Sequence, residues 1–238
     1  MRLTDFDALS FDCYGTLIDW ETGLRAGLLR VSDLSDGRVA VDGLLEAYGE
    51  AESATERAYP GMRYPDVIAR SVAAAGRAHD IEVPEHLAAD IGASVPDWPA
   101  FPDSAAALAR LAKRYTLIIL SNVDRRSFAA SNERLGVTFD AILTAEDIGS
   151  YKPDPRNFEA LLAKADEMGI AGGKLLHVAQ SLFHDHVPAK AIGLSTVWID
   201  RRGDQPGGGA TPIPANAPTP DWTFPSMGAF AGAVEAEG

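Results

Sequence analysis

The sequence has one cysteine and no long apolar run, and both absences exclude classes of protein. Cys13 cannot form an internal disulfide, and no charged segment followed by an apolar run of signal-peptide length stands near residue 1. The longest apolar stretches, such as 117–120, are far shorter than the ~20 residues that span a bilayer. We therefore expect a cytoplasmic protein without a membrane segment.

Basic residues are also scarce. Lysine and arginine number 21 against 34 aspartates and glutamates, a formal net charge of −13. This balance repels phosphate backbones and acidic membranes, so nucleic acid is not an expected partner. A small anion remains compatible with it, because salt screens the global field beyond ~8 Å and leaves a few local cations to decide binding.

The composition that is present suits a packed globular enzyme, with 46% hydrophobic and 23% charged residues. Residues 7–11 are apolar and predict a buried strand that ends at Asp12 and turns at Gly15. From about residue 20 to residue 98 the pattern becomes helical, with few β-branched runs. The clearest helical blocks cover residues 41–59 and 66–78.

Strands and helices alternate after residue 101, which implies a parallel sheet with helices on both faces. The predicted elements are strands at 115–120, 141–143, 174–179 and 195–199, helices at 103–114, 124–135, 155–168 and 187–192, an irregular connection at 203–220, and a last strand near Trp222 with a closing helix. We therefore predict an α/β fold, a Rossmann-like parallel-sheet core of residues 1–18 and 100–238 with an inserted helical cap lobe of residues 19–99.

Polar residues stand where four of these strands end. Ligands of an open parallel sheet bind outside the carboxyl ends of its strands, at the switch point of the strand order. The residues at these ends are Asp12 after the first strand, Ser121 and Asn122 after the second, Lys152 after the third, and Gln180, Ser181 and Asp185 after the fourth. We expect them to meet in one crevice.

The succession of these residues resembles a known superfamily. Asp12-Cys13-Tyr14-Gly15-Thr16, then Ser121, then Lys152-Pro153, then the segment 181–185 resembles the haloacid dehalogenase-like superfamily, whose members form an aspartyl-enzyme ester. Its phosphatases usually carry a second Asp two residues after the nucleophile and a Gly-Asp before the later Ser. Tyr14 and Ala179-Gln180 stand at those positions here, and neutral groups weaken a Mg²⁺ site because the ion prefers anionic oxygens.

Leu17-Ile18-Asp19 after Thr16 is instead similar to the L-2-haloacid dehalogenase branch, which works without a metal, so no cofactor is expected. The resemblance implies that Asp12 attacks C2 of a 2-haloalkanoate, displaces the halide with inversion and forms an ester. Water, assisted by Asp185 as base, then attacks the side-chain carbonyl carbon of Asp12 and releases a 2-hydroxy acid. Lys152 is expected to keep both carboxylates ionised, and Ser181 to orient Asp185 or the water.

The same resemblance suggests which groups bind the small anionic substrate. Candidates for holding its carboxylate and the ester oxyanion are the backbone N–H groups of Cys13 and Tyr14, the hydroxyls of Thr16 and Ser121, and the amide of Asn122. Trp20 and Tyr14 are expected to wall the pocket and keep it dry. The Cys13 side chain is predicted to be a buried small hydrophobe. His184-Asp185-His186 lacks the further ligands that a metal site needs, so no metal is predicted there.

Two features depart from the dehalogenase pattern. Phe158 stands where close members have a tyrosine six residues after the lysine, and the segment 179–185 is one residue longer than the Ser- and Asn-containing segment of those members. We therefore expect a remodelled water-activating loop. The family also uses a cap arginine to receive the halide, and the sequence does not choose among Arg25, Arg38, Arg57 and Arg63.

Two other functions remain open from the sequence. One is a Mg²⁺-dependent phosphatase of a small phosphorylated metabolite, because fold and nucleophile serve both reactions. The other is a non-catalytic member whose crevice binds an anion. Members of the family often form dimers through the inserted lobe, so a homodimer is a further expectation.

Overall fold

A six-stranded parallel sheet forms the centre of the structure, a computed structural model that describes residues 1–203, 214 and 216–238. The strands are β1 (Ala8–Phe11), β2 (Thr116–Ser121), β3 (Ala141–Thr144), β4 (Leu175–Ala179), β5 (Ser195–Ile199) and β6 (Trp222–Phe224). Their order across the sheet is β3-β2-β1-β4-β5-β6, and every neighbouring pair is parallel. The order reverses between β1 and β4, which makes their carboxyl ends the switch point.

The central strands are mostly apolar and almost wholly buried because both faces of the sheet are covered. All four residues of β1 are buried, and β2 alternates between two hydrophobic clusters. Leu117 and Ile119 belong to one cluster, whereas Ile118 and Leu120 belong to the other. This alternation follows from the two-residue period of a strand.

Four helices lie between β1 and β2 in the chain, and we call them the cap helices. They are α1 (Trp20–Asp33), α2 (Val41–Ala58), α3 (Tyr64–Ala78) and α4 (Glu85–Ala93). α3 packs between α2 and α4. The division into core and cap at residues 18/19 and 99/100 stays a prediction.

In the part of the chain that the structure describes, six further α-helices connect and cover the strands. They are α5 (Ser104–Leu111), α6 (Arg125–Leu135), α7 (Ala145–Ile148), α8 (Pro155–Glu167), α9 (Val187–Ala191) and α10 (Met227–Glu237). α6 begins and ends as its sequence predicts: the Asp124 side chain accepts the Ser127 N–H at 3.0 Å, and Gly136 ends the helix with φ of 66°.

Two details differ from the predicted elements. The helix predicted at 103–114 is shorter, since α5 covers Ser104–Leu111. The Asp103 carboxylate does not cap it, because it pairs with Arg201 at 2.7 Å and accepts the Gly228 N–H at 2.9 Å. A π-helix covers Leu182–His186, a segment that the sequence left without helix. Of the irregular connection predicted at 203–220, residues 204–213 and 215 lie outside the described residues.

The predicted fold class is confirmed, since the parallel sheet has the Rossmann-like order with helices between its strands. Among the helices that the structure describes, none combines the length and the apolar content needed to span a bilayer.

Candidate active site

Asp12 lies one residue past β1 and is held from two sides. Thr16 donates its hydroxyl to Asp12 Oδ2 at 2.6 Å, and Lys152 donates from Nζ to Oδ1 at 2.9 Å. The chain turns back at Gly15, whose φ of 96° lies in the region that favours glycine. A Cβ there would also come within 3.1 Å of the Trp20 indole and of Gln180 Oε1. This turn brings Thr16 back onto the carboxylate.

Lys152 joins the two carboxylates at the switch point. Its Nζ donates to Asp12 at 2.9 Å, to Asp185 Oδ1 at 2.7 Å and to the Leu120 carbonyl at 2.8 Å. These three bonds use all three N–H groups of the ammonium. The side chains of Lys152, Asp185 and Asp12 are 1%, 1% and 8% exposed. The cluster is therefore a buried ion triad rather than a surface pair.

Burial and the ammonium act in opposite directions on the two acids. Burial raises the pKa of Asp12, which Lys152 opposes and the Asp185 carboxylate reinforces. Burial acts the same way on Asp185, but Lys152 and His177 outweigh it and hold that pKa well below its ordinary range. Burial would lower the pKa of Lys152, yet the two acids raise it above its ordinary value. Asp12 is thus the more basic acid, as suits a nucleophile.

A buried histidine that the sequence analysis did not single out holds Asp185. His177 Nε2 lies 3.0 Å from Asp185 Oδ1, and its Nδ1 lies 2.9 Å from Ser10 Oγ. An ionised carboxylate only accepts, so Nε2 carries the hydrogen. Phe158 packs edge-on against the His177 ring at 5.2 Å between centroids. Phe158, noted above as a departure from the dehalogenase pattern, therefore supports the histidine by packing.

The segment after β4, in which the resemblance implies one extra residue, contains the π-helix Leu182–His186. π-helical turns absorb an extra residue and are frequent at functional sites. Ser181 caps this turn, accepting the His184 N–H at 2.9 Å. Burial lowers the pKa of His184 to about 4, so its imidazole is neutral near pH 7. The Gln180 N–H donates to Thr16 at 2.9 Å, which ties this loop to the turn after β1.

A pocket opens onto these groups between the core and the cap helices. It encloses about 50 Å³, far below the ~300–1,000 Å³ of pockets for drug-sized ligands, so only a few non-hydrogen atoms fit. It is lined by seven predicted site residues, namely Asp12, Tyr14, Trp20, Asn122, Lys152, Ser181 and Asp185, together with Glu52, Glu56, Tyr64, Gln180 and His184. Cys13, Thr16 and Ser121 are buried outside this lining, and the roles assigned to the predicted residues remain predictions.

Several predicted residues already have partners in the structure. Tyr14 places its hydroxyl 2.9 Å from Ser131 Oγ. Asn122 Oδ1 accepts the Lys152 N–H at 2.7 Å, and its Nδ2 donates to the Lys152 carbonyl at 3.0 Å and to Glu56 Oε1 at 3.3 Å. Ser121 Oγ, in contrast, is buried without a hydrogen-bond partner. Asn122 therefore holds the lysine loop and links it to α2.

Glu52 and Glu56 of α2 are functional candidates that the sequence analysis missed. Both are buried, and they extend the buried face of the helix that Leu45 and Tyr48 begin. The signal in the sequence was their spacing, because acids that continue an apolar stripe at helical intervals face the core. Acidic residues on such a stripe point to a site rather than to packing.

No arginine lines the pocket in the part of the chain that the structure describes. Of the four candidates for receiving the halide, Arg25 binds Glu21 and Asp42, Arg38 binds the Ser35 carbonyl, Arg63 pairs with Asp66, and Arg57 lines an adjoining cavity of about 300 Å³. That cavity shares Glu56, Lys152 and His184 with the Asp12 pocket. None of the four contacts the nucleophile in this geometry.

The donor set around Asp12 does not fit a Mg²⁺ ion. The Lys152 ammonium already lies between the two carboxylates, and burial raises the pKa of Tyr14 well above 10, which keeps its phenol neutral. Within the described residues, no group of three His, Cys, Asp or Glu side chains is arranged to hold a metal. We therefore derive no step through a divalent cation.

Comparison with known proteins gives consistent results. The chain is 26% identical over 205 residues to (S)-2-haloacid dehalogenase 4A of Burkholderia cepacia, with 84% of this chain and 85% of that protein covered. The structure of the L-2-haloacid dehalogenase from Xanthobacter autotrophicus matches with a TM-score of 0.79 at 20% identity, covering 98% of this chain and 100% of that one. A structure of the Xanthobacter enzyme with chloropropionic acid covalently bound matches with a TM-score of 0.78 at 21% identity, with the same coverage.

The family model described as haloacid dehalogenase-like hydrolase matches residues 6–179, most of the chain and all of the segment from β1 to β4. The chain therefore belongs to the haloacid dehalogenase-like hydrolase family.

Proposed function

We propose that this protein hydrolyses the carbon–halogen bond of a short 2-haloalkanoic acid to give a 2-hydroxy acid, without a metal. The observation that carries the proposal is the buried Asp12 carboxylate, oriented by Thr16 and Lys152 at the switch point with a second acid beyond the lysine. The Burkholderia relative is named for this activity, and the Xanthobacter structure holds chloropropionic acid covalently. A pocket of about 50 Å³ favours a substrate of few atoms.

The geometry supports a two-step reaction. Asp12 attacks C2, the carbon–halogen bond breaks with its electron pair going to the halide, and an ester links Asp12 to the substrate. Asp185 Oδ2, which is buried without a partner, is free to accept a hydrogen bond from the water that attacks the ester carbonyl. The bond between that carbonyl carbon and the substrate oxygen then breaks. The 2-hydroxy acid leaves with one proton of the water on its hydroxyl, the other proton passes to solvent, and the Asp12 carboxylate is restored. Because the pKa of Asp185 is held low, it stays ionised and orients this water throughout the neutral range. The expectations of a cytoplasmic location and of a homodimer remain part of this proposal.

Halide release separates this function from a phosphatase. We expect the wild-type enzyme to release chloride from L-2-chloropropionate at the same rate in EDTA as in added Mg²⁺, because its buried cation is Lys152. A single turnover in ¹⁸O water with excess enzyme should label the Asp12 carboxylate, and mass spectrometry of its peptide reads the label. Mg²⁺-dependent phosphate release without halide release would contradict the proposal. Product formed with Asp12 unlabelled would contradict the ester route.

Replacing Asp185 by asparagine is expected to trap the ester. The variant keeps the Asp12 nucleophile but loses the anionic acceptor for water, so hydrolysis should slow by ~10²–10⁴-fold while the first step survives. Intact-mass spectrometry after mixing with L-2-chloropropionate should then show the enzyme heavier by the substrate minus hydrogen chloride. Asp166→Asn, on the exposed side of α8, is the matched control and should not accumulate ester. A variant that turns over at the wild-type rate would rule out this role of Asp185.

A further inference from the structure

Two carboxyl groups of the cap helices line the Asp12 pocket, and the described lining holds no cation that is unbound and could neutralise them. Glu56 and Glu52 line the pocket and are 6% and 8% exposed. Lys152 is the cation in the described lining, and its three N–H groups are already bonded to Asp12, Asp185 and a carbonyl. A halide that leaves C2 as an anion therefore needs a hydrogen-bond donor other than arginine or Lys152.

Asn122 determines which oxygen of Glu56 can accept and which can donate. Asn122 Oδ1 accepts the Lys152 backbone N–H, and Asn122 Nδ2 donates to the Lys152 carbonyl. Exchanging the oxygen and nitrogen of the amide would place its NH₂ group against that N–H, so the orientation of the amide is fixed. Its Nδ2 consequently donates to Glu56 Oε1 at 3.3 Å. Oε1 is the accepting oxygen, which leaves Oε2 as the place for a proton.

Glu52 is the better site for the negative charge of the pair. Tyr48 and Tyr64 donate their hydroxyls to Glu52 Oε1 at 2.7 and 3.1 Å, whereas Glu56 receives one longer bond from Asn122. Burial raises the pKa of Glu56 well above its ordinary value, the Glu52 carboxyl adds to this, and Lys152 opposes it. Two neighbouring buried acids ionise one at a time, and the proton stays on Glu56.

The remaining groups around Glu56 do not reverse this assignment. The titratable and charged residues that face it are Glu52 and Arg57 on α2, Tyr64 on α3, Tyr151 and Lys152 after β3, Asp12 after β1, and His184 and Asp185 after β4. Lys152 is neutralised by its two acids, and Arg57 is exposed. His184 Nε2 and Asp185 Oδ2 are buried without hydrogen-bond partners, which marks the pocket as built for a polar ligand.

We propose that Glu56 donates a hydrogen bond from its carboxylic acid to the halogen as it leaves C2, in place of a cap arginine. This inference rests on the proposed function. As Asp12 forms its bond to C2, the electron pair of the carbon–halogen bond moves onto the halide, which accepts the Glu56 O–H bond while the proton stays on Glu56. Glu52 acts through Glu56 as a positioning residue. The donor gives most help to the poorer leaving group, since more charge develops on it.

The sensitivity of the rate to the leaving group tests this role. Glu56→Leu should slow chloride release from 2-chloropropionate by ~10- to 100-fold, the loss expected for one hydrogen bond to a charged group. Bromide release from 2-bromopropionate should fall less, so that the bromide-to-chloride rate ratio rises about tenfold. Glu50→Gln, on the exposed side of α2, is the matched control and should keep the wild-type ratio. An unchanged ratio in Glu56→Leu would overturn the inference and leave the proposed function standing.

The pH dependence of activity is a second measurement, and it would not change if Glu56 contributed only to packing. Wild-type activity should fall as pH rises through the elevated pKa of Glu56, because the ionised acid no longer donates. Glu56→Gln keeps an N–H donor that does not titrate, so this alkaline decline should disappear. Glu52→Gln removes the neighbouring negative charge and should move the decline to lower pH. A decline that persists unchanged in Glu56→Gln would contradict the proposal.

Bromide binding tests the site without turnover. Crystals of the wild-type protein soaked in sodium bromide should show anomalous scattering within hydrogen-bond distance of Glu56, and Glu56→Gln crystals should keep the peak. If no 2-haloacid releases halide, the proposed function fails, and the bromide position still decides whether Glu56 is an anion donor. Bromide elsewhere in the pocket would overturn the role of Glu56.

Discussion

Asp12→Asn is expected to lower turnover of 2-haloacids by at least ~10⁴-fold, the scale seen when a nucleophile is removed. The amide has no negative charge to attack C2. Its single oxygen can still accept from Lys152, and its NH₂ group then faces the Thr16 hydroxyl oxygen. Stability should not fall in parallel. The folded pKa of Asp12 lies above its ordinary value because of burial, so its ionised form opposes folding at pH 7. The variant should therefore melt at the same temperature as the wild type or higher.

Opposite responses of activity and stability distinguish loss of the nucleophile from loss of the fold. Halide release and thermal unfolding are measured on one preparation, and mass spectrometry of the Asp12 peptide excludes deamidation back to aspartate. Asp166→Asn, exposed on α8, should change neither quantity. Full turnover by Asp12→Asn without deamidation would exclude the ester mechanism. A large drop in melting temperature would instead show that the charge of Asp12 stabilises the triad.

The convergence of Asp12, Lys152 and Asp185 could be predicted from the sequence because it depends on topology. Each follows a strand of a parallel sheet, and parallel strands place their carboxyl ends along one edge. Apolar runs located the strands, and the motif order located the acids and the lysine. The distances of 2.9 and 2.7 Å from Lys152 to the two carboxylates follow from that arrangement.

Side-chain pairing inside the pocket could not be predicted in the same way. Asn122 was expected to bind substrate, yet the structure has its amide bonded to the Lys152 backbone and to Glu56. That pairing depends on how α2 lies over the sheet, which no local pattern encodes. The spacing of Glu52 and Glu56 along α2 indicates that both are buried, but it does not indicate which groups they contact. Contacts between elements distant in sequence are set by packing, and local secondary-structure propensities do not predict them.

Lys152→Met is expected to lower both activity and stability. Methionine fills much of the volume of the lysine stem but leaves Asp12 and Asp185 facing one another without a cation, and the Leu120 carbonyl without its donor. Removing one partner of a buried ion pair typically destabilises a protein by ~3–5 kcal/mol. Activity should fall by at least ~10²-fold, because one of two close acids then holds a proton and is lost as nucleophile or as acceptor. Denaturant unfolding and halide release measure the two effects.

The pH dependence of this destabilisation identifies its electrostatic origin. In the variant, the folded pKa values of Asp12 and Asp185 should both rise above the unfolded values, so stability is greatest below the unfolded pKa and is lost as pH increases. In the wild type, the lowered pKa of Asp185 gives stability that is lost as pH falls. The difference between the two proteins should therefore be small near pH ~3 and should grow toward pH ~7. Lys164→Met, on α8 and paired at the surface with Glu167, should change stability by under ~1 kcal/mol.

Adding Asp185→Asn to Lys152→Met should recover part of the lost stability, since the second substitution removes one of the two unbalanced charges. Recovery is expected at neutral pH and should vanish in acid, where both carboxyls are already neutral. If Lys152→Met were equally destabilising across this pH range and the second substitution had no effect, the lysine would contribute through the packing of its methylene stem. In that case the pKa of Asp12 would be set by burial, Asp185 and Thr16, and the lysine would have no part in keeping the nucleophile ionised.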